Sequence, residues 1–327
     1  MLPLSHIANV RKTVDDEWRS PVADAVGERW GIPDGNLRFW RSSAAHVFVL
    51  PPGGDARGVL YARFAPTDRP SGWNLERGAR LHARLSEAGA PVASLVRSPS
   101  GRAVERVKTP VGEMVACVLQ RVDGEELDLD ELDPDRATAW GTALAGFHQK
   151  AGDAAQEVLP PSDPFALLAG HEADGELAEA ARVLGKVPRQ EPAPLVVGHG
   201  DFELDDLRWH ARKPTCFDLD ESGVMPAAAD VASAVRDLLG PRPGSPRHPE
   251  LLSAFLDGYR RTTGHSISPE DLLLHRAAFA AQQLAQAPAV MDVELDGGGW
   301  LSGLAASLTR HYAEQRAIVL ATADVMG

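Results

Sequence analysis

The sequence predicts an α+β fold in which a small antiparallel sheet precedes a larger, mainly helical region. Short apolar runs separated by turn residues occupy the chain from about residue 37 to residue 119. After residue 133 the apolar residues recur at three- and four-residue steps, which is the periodicity of amphipathic helices. Runs of strands followed by runs of helices are typical of α+β proteins, whereas strict alternation of the two would indicate a doubly wound sheet.

The order of elements follows from turn and cap signals along the chain. A leading helix is expected between residues 9 and 30, interrupted near Pro21. Strands are predicted over residues 37–41, 46–50, 59–64, 102–107 and 113–119, with a helix over 73–88 before the last two strands. Asp133 and Pro134 supply a cap and a first-turn proline for the helical region. Its last helices are predicted near residues 250–262, 269–287 and 301–322.

Composition excludes several classes of protein. The 327-residue chain has a formal charge of −13, so a nucleic-acid partner is not expected, and a cationic small substrate is mildly favoured. No apolar run approaches the roughly 18 residues of a membrane span. Cys117 and Cys216 are the only cysteines, and both lie in apolar runs, which indicates buried thiols in a reducing compartment. With no signal peptide visible, a cytoplasmic location is expected.

The strongest chemical signal is an acid-rich segment within the helical region. A short apolar run leads into a His-Gly-Asp turn that ends at Asp201, and Asp206 follows five residues later. A second apolar run then delivers Asp218 and Asp220. Short strands with acids at their ends commonly hold Mg²⁺ beside phosphate, because this ion prefers hard oxygen ligands. A solvated aspartate-rich loop is the alternative, and the long ordered spacing argues against it.

This segment resembles the catalytic and metal-binding segment of the aminoglycoside phosphotransferase and choline kinase group, which has the protein-kinase-like, two-lobed fold. Those enzymes carry His-Gly-Asp, an Asn five residues after the Asp, and a later Asp on a strand. The resemblance implies that Asp201 is the catalytic residue and that Asp206 and Asp218 bind metal, with Asp220 as a further or outer ligand. The sequence departs from the family at Asp206, which keeps an oxygen ligand but adds a negative charge.

The same resemblance assigns residues of the amino-terminal lobe to the nucleotide. It puts Ser42 and Ser43 over the phosphates, where the backbone and hydroxyl groups would donate hydrogen bonds. The third strand should carry a cation for the α- and β-phosphates. No lysine lies on that strand, and Arg63 occupies the expected position. The family pattern would pair Arg63 with Glu76 of the following helix. The structural alternatives are an ordinary hairpin, an exposed strand arginine and a glutamate that favours a helix amino terminus.

The hinge between the lobes is expected where the last strand gives way to a Gly-containing turn near residue 124. In similar kinases the nucleotide base contacts hinge backbone, so Gln120 and Val122 are the contact candidates. The resemblance thus implies a nucleotide-binding lobe with its leading helix over residues 1–122 and a helical catalytic and acceptor-binding lobe over 123–327.

Structural roles are expected for two histidines and one further aspartate. His199 is expected to hold the loop by hydrogen bonding, and His148 is expected at a packing position. Asp230 matches a family acid that braces the catalytic loop, although an aspartate that simply begins a helix is the alternative.

The implied activity is transfer of the γ-phosphate of ATP or GTP to a hydroxyl group, with Mg²⁺ or Mn²⁺. The acceptor stays open among an antibiotic, a sugar, an amino alcohol and a protein serine. A non-catalytic nucleotide-binding regulator is the main alternative, which Asp206, Arg63 and the missing glycine-rich loop keep open. A glycosyltransferase with Asp218 and Asp220 as its metal pair is a third hypothesis, but the chain lacks the strand–helix alternation of a nucleotide-sugar fold.

Overall fold

The structure is a computed structural model that describes residues 1–154, 163–170, 174–188, 194–240, 245–293 and 299–327. The chain divides into two compact units. The first unit contains Met1–Asp123, Thr215–Ser222 and a short segment that begins at Val290. The second unit contains Gly124–Pro214, Gly223–Ala289 and the carboxy-terminal helix.

A six-stranded antiparallel sheet forms the centre of the first unit. Its strands are β1 Arg38–Ser42, β2 His46–Leu50, β3 Leu60–Pro66, β4 Leu95–Val96, β5 Glu105–Thr109 and β6 Gly112–Gln120. They follow the order β1-β2-β3-β6-β4, and β5 also pairs with β6. The strands predicted from the sequence are confirmed. The prediction missed β4 because its two residues show no periodicity.

Three helices accompany this sheet: α1 Leu4–Arg11, α2 Pro21–Glu28 and α3 Pro70–Glu87. The leading helix predicted between residues 9 and 30 is therefore wrong in its first part, because α1 begins at Leu4 and ends at Arg11, and α2 begins only at Pro21. Pro21 begins α2, and the Ser20 hydroxyl caps it by accepting a hydrogen bond from the Val22 amide. Residues of α2 and of the sheet share one apolar core, which includes Val22, Val26, Trp30, Phe48, Phe64 and Val118.

The segment Thr215–Ser222 belongs to the first unit. Its Cys216 amide donates to the Pro91 carbonyl at 3.0 Å, and the Ala93 amide donates to the Cys216 carbonyl at 2.9 Å. This grouping differs from the continuous second lobe expected over 123–327, because these hydrogen bonds tie the segment to the chain that follows α3. Asp218 and Asp220 thus lie in the same unit as β3.

The second unit is mainly helical. Its helices are α4 Pro134–Ala154, α5 Pro164–Ala169, α6 Gly175–Gly185, α7 Ala227–Ala234, α8 Arg236–Leu239, α9 Pro249–Thr263, α10 Pro269–Val290 and α11 Gly299–Met326. Two antiparallel strand pairs join β7 Leu195–Gly198 to β10 Gly223–Pro226 and β8 Leu207–His210 to β9 Lys213–Cys216. The helices predicted near residues 250, 269 and 301 are confirmed.

Aromatic and aliphatic side chains hold these helices together. Trp140 of α4 meets Phe255 of α9 edge to face, with ring centroids 4.9 Å apart. A second apolar core joins α5, α6, α10 and α11 and includes Phe165, Leu177, Leu184, Ala277, Ala281 and Val319. None of the helices within the described ranges is long and apolar enough to cross a membrane.

Candidate active site

The His-Gly-Asp turn lies directly after β7 in the second unit. Gly200 has a φ of 87°, in the left-handed region that other residues rarely adopt. His199 is buried, and its Nδ1 accepts a hydrogen bond from the Asp201 amide at 3.3 Å. The Trp140 indole also donates to the Phe202 carbonyl at 2.9 Å. The backbone on both sides of Asp201 is therefore fixed by the fold, which leaves its carboxylate at the half-buried edge of the turn.

Asp230 braces this turn from the first turns of α7. Its carboxylate accepts hydrogen bonds from the His199 amide at 2.8 Å, the Gly200 amide at 2.7 Å and His148 Nε2 at 2.7 Å. Burial alone would raise the pKa of Asp230, but the hydrogen bonds from His148 and the Gly200 amide outweigh it and hold that pKa below its usual value. The structure thus confirms the bracing role of Asp230. His148 also bonds to Tyr259 at 2.9 Å, which makes it a structural residue, as expected.

Three acids on the loop after the turn form a cluster that we call the loop carboxylates. They are Asp201, Glu203 and Asp206, and one ligand oxygen from each lies within 4.8 Å of the others. Arg236 of α8 donates to Asp201 Oδ1 at 2.7 Å and forms an ion pair with Glu203. The sequence interpretation missed Glu203 and Arg236. A single glutamate in an acid-rich loop and a single arginine on a short helix carry no pattern of their own.

The electrostatics of the loop carboxylates favour a cation. Burial raises the pKa of Glu203 to about 7, with Asp201 adding to the effect and Arg236 opposing it. The Arg236 guanidinium thus pairs with both Asp201 and Glu203. Carboxylate oxygens at this spacing are the hard ligands that a divalent cation such as Mg²⁺ takes. The oxygen donors around Asp206 therefore suit a divalent cation, whereas the other predicted metal ligands, Asp218 and Asp220, lie in the first unit.

A second group of charged residues lies in the first unit, and we call it the arginine–aspartate cluster. It consists of Arg41, Arg63, Asp218 and Asp220. Arg63 Nη2 lies 2.6 Å from Asp218 Oδ1 and 2.8 Å from Asp220 Oδ2. Arg41 Nη2 approaches the other Asp218 oxygen at 3.7 Å. The strand cation and the predicted metal aspartate are thus brought together, whereas Arg41 was not predicted from the sequence.

The backbone positions Asp218 and Asp220 for these contacts. Asp218 has a φ of 65°, in the left-handed region that is uncommon for residues other than glycine and that aspartate adopts more readily than most. Gly78 lets α3 approach closely, because a Cβ at that position would lie 2.4 Å from the Leu219 carbonyl oxygen. Burial raises the pKa of Asp220 to about 7 against the opposing effect of Arg63. Burial alone would lower the pKa of Arg63, but Asp218 and Asp220 raise it.

Glu76 does not contact Arg63, so the predicted ion pair is wrong. Its carboxylate instead accepts hydrogen bonds from Arg80 at 2.6 Å and from Arg106 at 3.1 Å. The side chain of Glu76 lies toward the exposed side of α3, where these two arginines are available. Asp220 stands in its place as the buried carboxylate that neutralises the strand cation.

The predicted phosphate-binding turn joins β1 to β2. The Ser42 hydroxyl is 2.9 Å from His46 Nδ1, and His46 is fully buried. Burial lowers the pKa of His46 to about 3, so this imidazole is neutral. The Ser43 amide donates to the Ala45 carbonyl at 3.0 Å, and the Ser43 carbonyl accepts from the Leu2 amide at 2.7 Å. The turn is thus held in shape from both sides, and the Ser42 hydroxyl is engaged with His46.

The predicted base-contact residues lie at the end of β6. The Gln120 amide donates to the Ser94 carbonyl at 2.8 Å, and its side-chain amide donates to the Arg57 carbonyl at 2.9 Å. Val122 is half-buried and follows the strand. The backbone amide of Gln120 is thus already paired with Ser94, although Gln120 is the more exposed of the two candidates.

One protein-family model and several solved structures are similar to this chain. A model of the phosphotransferase enzyme family matches residues 53–267. A structure of amicoumacin kinase with AMP-PNP, Ca²⁺ and Ami matches with a TM-score of 0.69 and 18% identity, over 94% of this chain and 95% of that chain. A microcompartment-associated aminopropanol kinase matches with a TM-score of 0.63 and 17% identity, over 91% of this chain and 94% of that chain.

A choline kinase from Cryptosporidium parvum Iowa II matches with a TM-score of 0.54 and 15% identity, over 86% of this chain and 88% of that chain. None of the curated proteins matches this chain in sequence. The structural matches share less than a fifth of their residues with this chain, so they establish the fold. The predicted α+β, protein-kinase-like fold and the family resemblance are confirmed.

Proposed function

Because the chain belongs to the phosphotransferase enzyme family, we propose that it transfers the γ-phosphate of ATP or GTP to a hydroxyl group of a small molecule. The proposed reaction uses Mg²⁺ or Mn²⁺. Phosphoryl transfer needs positioning and charge neutralisation more than covalent chemistry. The residues of the two units are suited to positioning and to charge neutralisation. We expect the protein to act in the cytoplasm.

The observation that carries the proposal is the braced position of Asp201. Two amides of the turn donate hydrogen bonds to the buried Asp230, His148 holds the Asp230 carboxylate from α4, and Arg236 holds the Asp201 carboxylate at 2.7 Å. In the proposed reaction Asp201 accepts or orients the proton of the acceptor hydroxyl. A carboxylate suffices for this role, because a loose transition state requires little base strength.

The first unit supports nucleotide binding. The Arg63 Nε is buried and has no hydrogen-bond partner among the residues that the structure describes. A buried donor without a partner is unfavourable, and a phosphate oxygen would satisfy it. We propose that Arg63 binds the phosphates together with the turn at Ser42 and Ser43, and that Val122, with Gln120, lies by the base.

We propose Asp206 as a metal ligand of the second unit and Asp218 as a metal ligand of the first. When bound, the divalent cation would neutralise phosphate charge. Asp220 is buried and bonded to Arg63 at 2.8 Å, which supports an indirect role for it: it would hold Arg63 and so orient the groups around Asp218. No role in nucleotide binding is proposed for Glu76.

The charge of the chain supports an acceptor that carries an amine. The formal charge is −13, and the three loop carboxylates lie close together. The names of the structurally similar enzymes include an antibiotic, an amino alcohol and choline as acceptors. We therefore propose an amine-bearing alcohol or antibiotic as the acceptor class.

One observation favours a second function, that of a non-catalytic nucleotide-binding regulator. Arg63 lies 2.6 Å from Asp218, so the expected metal ligand already has a protein cation beside it. A regulator would bind nucleotide through the first unit and would transfer no phosphate. The two functions differ in turnover and not in nucleotide affinity.

The test is a screen with γ-labelled ATP and GTP, in Mg²⁺ and in Mn²⁺, against amine-bearing alcohols, aminated antibiotics, neutral sugars and a serine-containing peptide. The proposal expects label to appear on one or more amine-bearing acceptors. Nucleotide binding without label on any acceptor would favour the regulator. Label on the peptide alone would replace the small-molecule acceptor with a protein.

A further inference from the structure

Arg41 and Arg63 project from the same face of the sheet in the first unit. Arg41 on β1 is paired with Val47 on β2, and Val47 is paired with Arg63 on β3. Residues directly opposite one another on antiparallel strands point to the same side. The two guanidinium groups therefore rise from one row of the sheet, and both reach Asp218, one at each carboxylate oxygen.

The two arginines differ in how firmly they are held. The Arg63 side chain is 7% exposed and is bonded to two carboxylates at 2.6 and 2.8 Å. The Arg41 side chain is 52% exposed and has its carboxylate at 3.7 Å. An exposed ion pair of this length is weak, because water screens it and the long side chain loses rotational freedom when fixed. Arg63 is therefore a fixed cation, and Arg41 is one that can exchange partners.

The charges of the cluster show why a second cation is needed. Arg63 carries one positive charge, and its partners Asp218 and Asp220 carry two negative charges when ionised. With both aspartates ionised, the cluster without Arg41 has a net negative charge and repels a nucleotide phosphate. When Arg41 is included, the net charge of the cluster is zero. Arg41 also immediately precedes the turn at Ser42 and Ser43. A guanidinium is well suited to this place because its planar fork binds two phosphate oxygens at once.

We propose that Arg41 is a second phosphate-binding cation. When Asp218 binds the divalent cation, the Arg41 side chain moves away from Asp218 and contacts the nucleotide phosphates. The inference rests on the proposed function, since it requires nucleotide at this unit. In the resting protein Arg41 covers one oxygen of Asp218. In the loaded protein the same side chain contacts phosphate, and Asp218 is left to its metal ion.

The test measures binding and not turnover. Titrations of Arg41→Met and of the wild type with AMP-PNP in saturating Mg²⁺ should show a loss of affinity of about 10- to 100-fold, the range for hydrogen bonds to a charged group. AMP, which lacks the outer phosphates, should bind equally to both proteins. Arg41→Lys should recover part of the loss, because it restores the charge but not the fork.

The control is Arg97→Met, which removes an equally exposed arginine with one carboxylate partner, Glu87. It should bind AMP-PNP as the wild type does. A second expected result is a tighter binding of Mg²⁺ alone by Arg41→Met, because a competitor for Asp218 has gone.

Equal AMP-PNP affinity of Arg41→Met and the wild type would overturn the inference and leave the proposed function intact. An equal loss of AMP affinity would also overturn it, because the residue would then act on the fold or the base. A wild-type protein that binds no AMP-PNP would overturn the proposed function and this inference with it.

Discussion

Asp220 accepts a hydrogen bond from Arg63 at 2.8 Å, and both side chains are buried in the first unit. This contact occupies the structural place that was expected for an Arg63–Glu76 pair. A buried arginine needs a carboxylate partner, because an uncompensated charge in the interior is strongly unfavourable. The partner comes from the segment that carries Asp218 and not from α3.

We first predict an energetic coupling between Arg63 and Asp220. Arg63→Met and Asp220→Asn should each destabilise the protein by about 3 kcal/mol or more, because each leaves a buried group without its partner. The double variant should lose clearly less than the sum, with a coupling of about 1–3 kcal/mol. The measurement is the free energy of unfolding in urea for the four proteins of the cycle.

The matched cycle uses Glu76→Gln in place of Asp220→Asn. Because Glu76 bonds to Arg80 and Arg106 at the surface, its effect should add to that of Arg63→Met within about 0.5 kcal/mol. A coupling in the Glu76 cycle as large as in the Asp220 cycle would contradict the contacts described.

The second prediction concerns the acid stability that Asp230 provides. The pKa of Asp230 is lower in the folded protein than its unfolded value of 3.8. Its contribution to the free energy of unfolding is therefore present above pH 3.8 and is lost as the pH falls through the lower pKa of the folded state. Asp230→Asn should reduce the free energy of unfolding at pH 7 by about 3 kcal/mol, because charged hydrogen bonds to two backbone amides and to His148 are lost. The loss should shrink below pH 3.8.

The comparison for this variant is Asp257→Asn on α9, which removes an exposed carboxylate with a surface partner. It should change the unfolding free energy by no more than about 0.5 kcal/mol. If Asp230→Asn behaves like Asp257→Asn at pH 7, then Asp230 does not brace the catalytic turn.

Much of this fold was predictable from local patterns. The strands of the first unit and the long helices of the second have clear periodicities. The His-Gly-Asp turn requires a glycine at position 200, because Gly200 has a positive φ. These features depend on residues that are near one another in sequence or that repeat at a regular spacing. The bracing role of Asp230 was predicted in another way, from the family resemblance, because Asp230 lies 31 positions from His199.

The ion pairs were less predictable, because they join residues that are far apart in the sequence. Arg63 and Asp220 are separated by 157 positions, and Arg236 lies 35 positions from Asp201. A charged side chain has several possible partners at such separations, and the fold selects one. The expected Arg63–Glu76 pair was wrong for this reason. Arg41 lacked any local signal, because its contact with Asp218 depends on the alignment of β1, β2 and β3.

The third prediction follows from Asp206, which stands where the family has Asn. With Asp201 and Glu203 it crowds three acids within 4.8 Å, and a divalent cation would relieve their repulsion. Mg²⁺ or Mn²⁺ should therefore raise the melting temperature of the wild type without nucleotide, through a stabilisation on the order of 1–3 kcal/mol at saturating metal. Asp206→Asn should reduce this shift and should leave phosphate transfer with metal-bound nucleotide active. An equal shift in both proteins would mean that Asp206 is not a metal ligand.

The fourth prediction concerns the pH dependence of stability at Glu203. The pKa of Glu203 is raised from 4.5 to about 7 in the folded protein. Its favourable contribution to the free energy of unfolding is therefore complete below pH 4.5 and is lost as the pH rises through about 7. Glu203→Gln does not titrate. The unfolding free energy of the wild type relative to Glu203→Gln should therefore fall between pH 4.5 and pH 7 and then level off, as followed by urea unfolding. A constant difference across that range would contradict the buried environment of Glu203.

The most direct test of the proposed phosphotransferase is to separate phosphate transfer from nucleotide binding at Asp201. Transfer of labelled γ-phosphate to the acceptor found in the screen would be measured for the wild type, Asp201→Ala and Asp205→Ala, an exposed acid of the same loop. Asp201→Ala should lower the rate by about 10²- to 10⁴-fold, the usual contribution of a positioned base, and should bind AMP-PNP as the wild type does. Asp205→Ala should keep its activity. Transfer by Asp201→Ala at the wild-type rate would contradict the assignment of Asp201 as the catalytic residue.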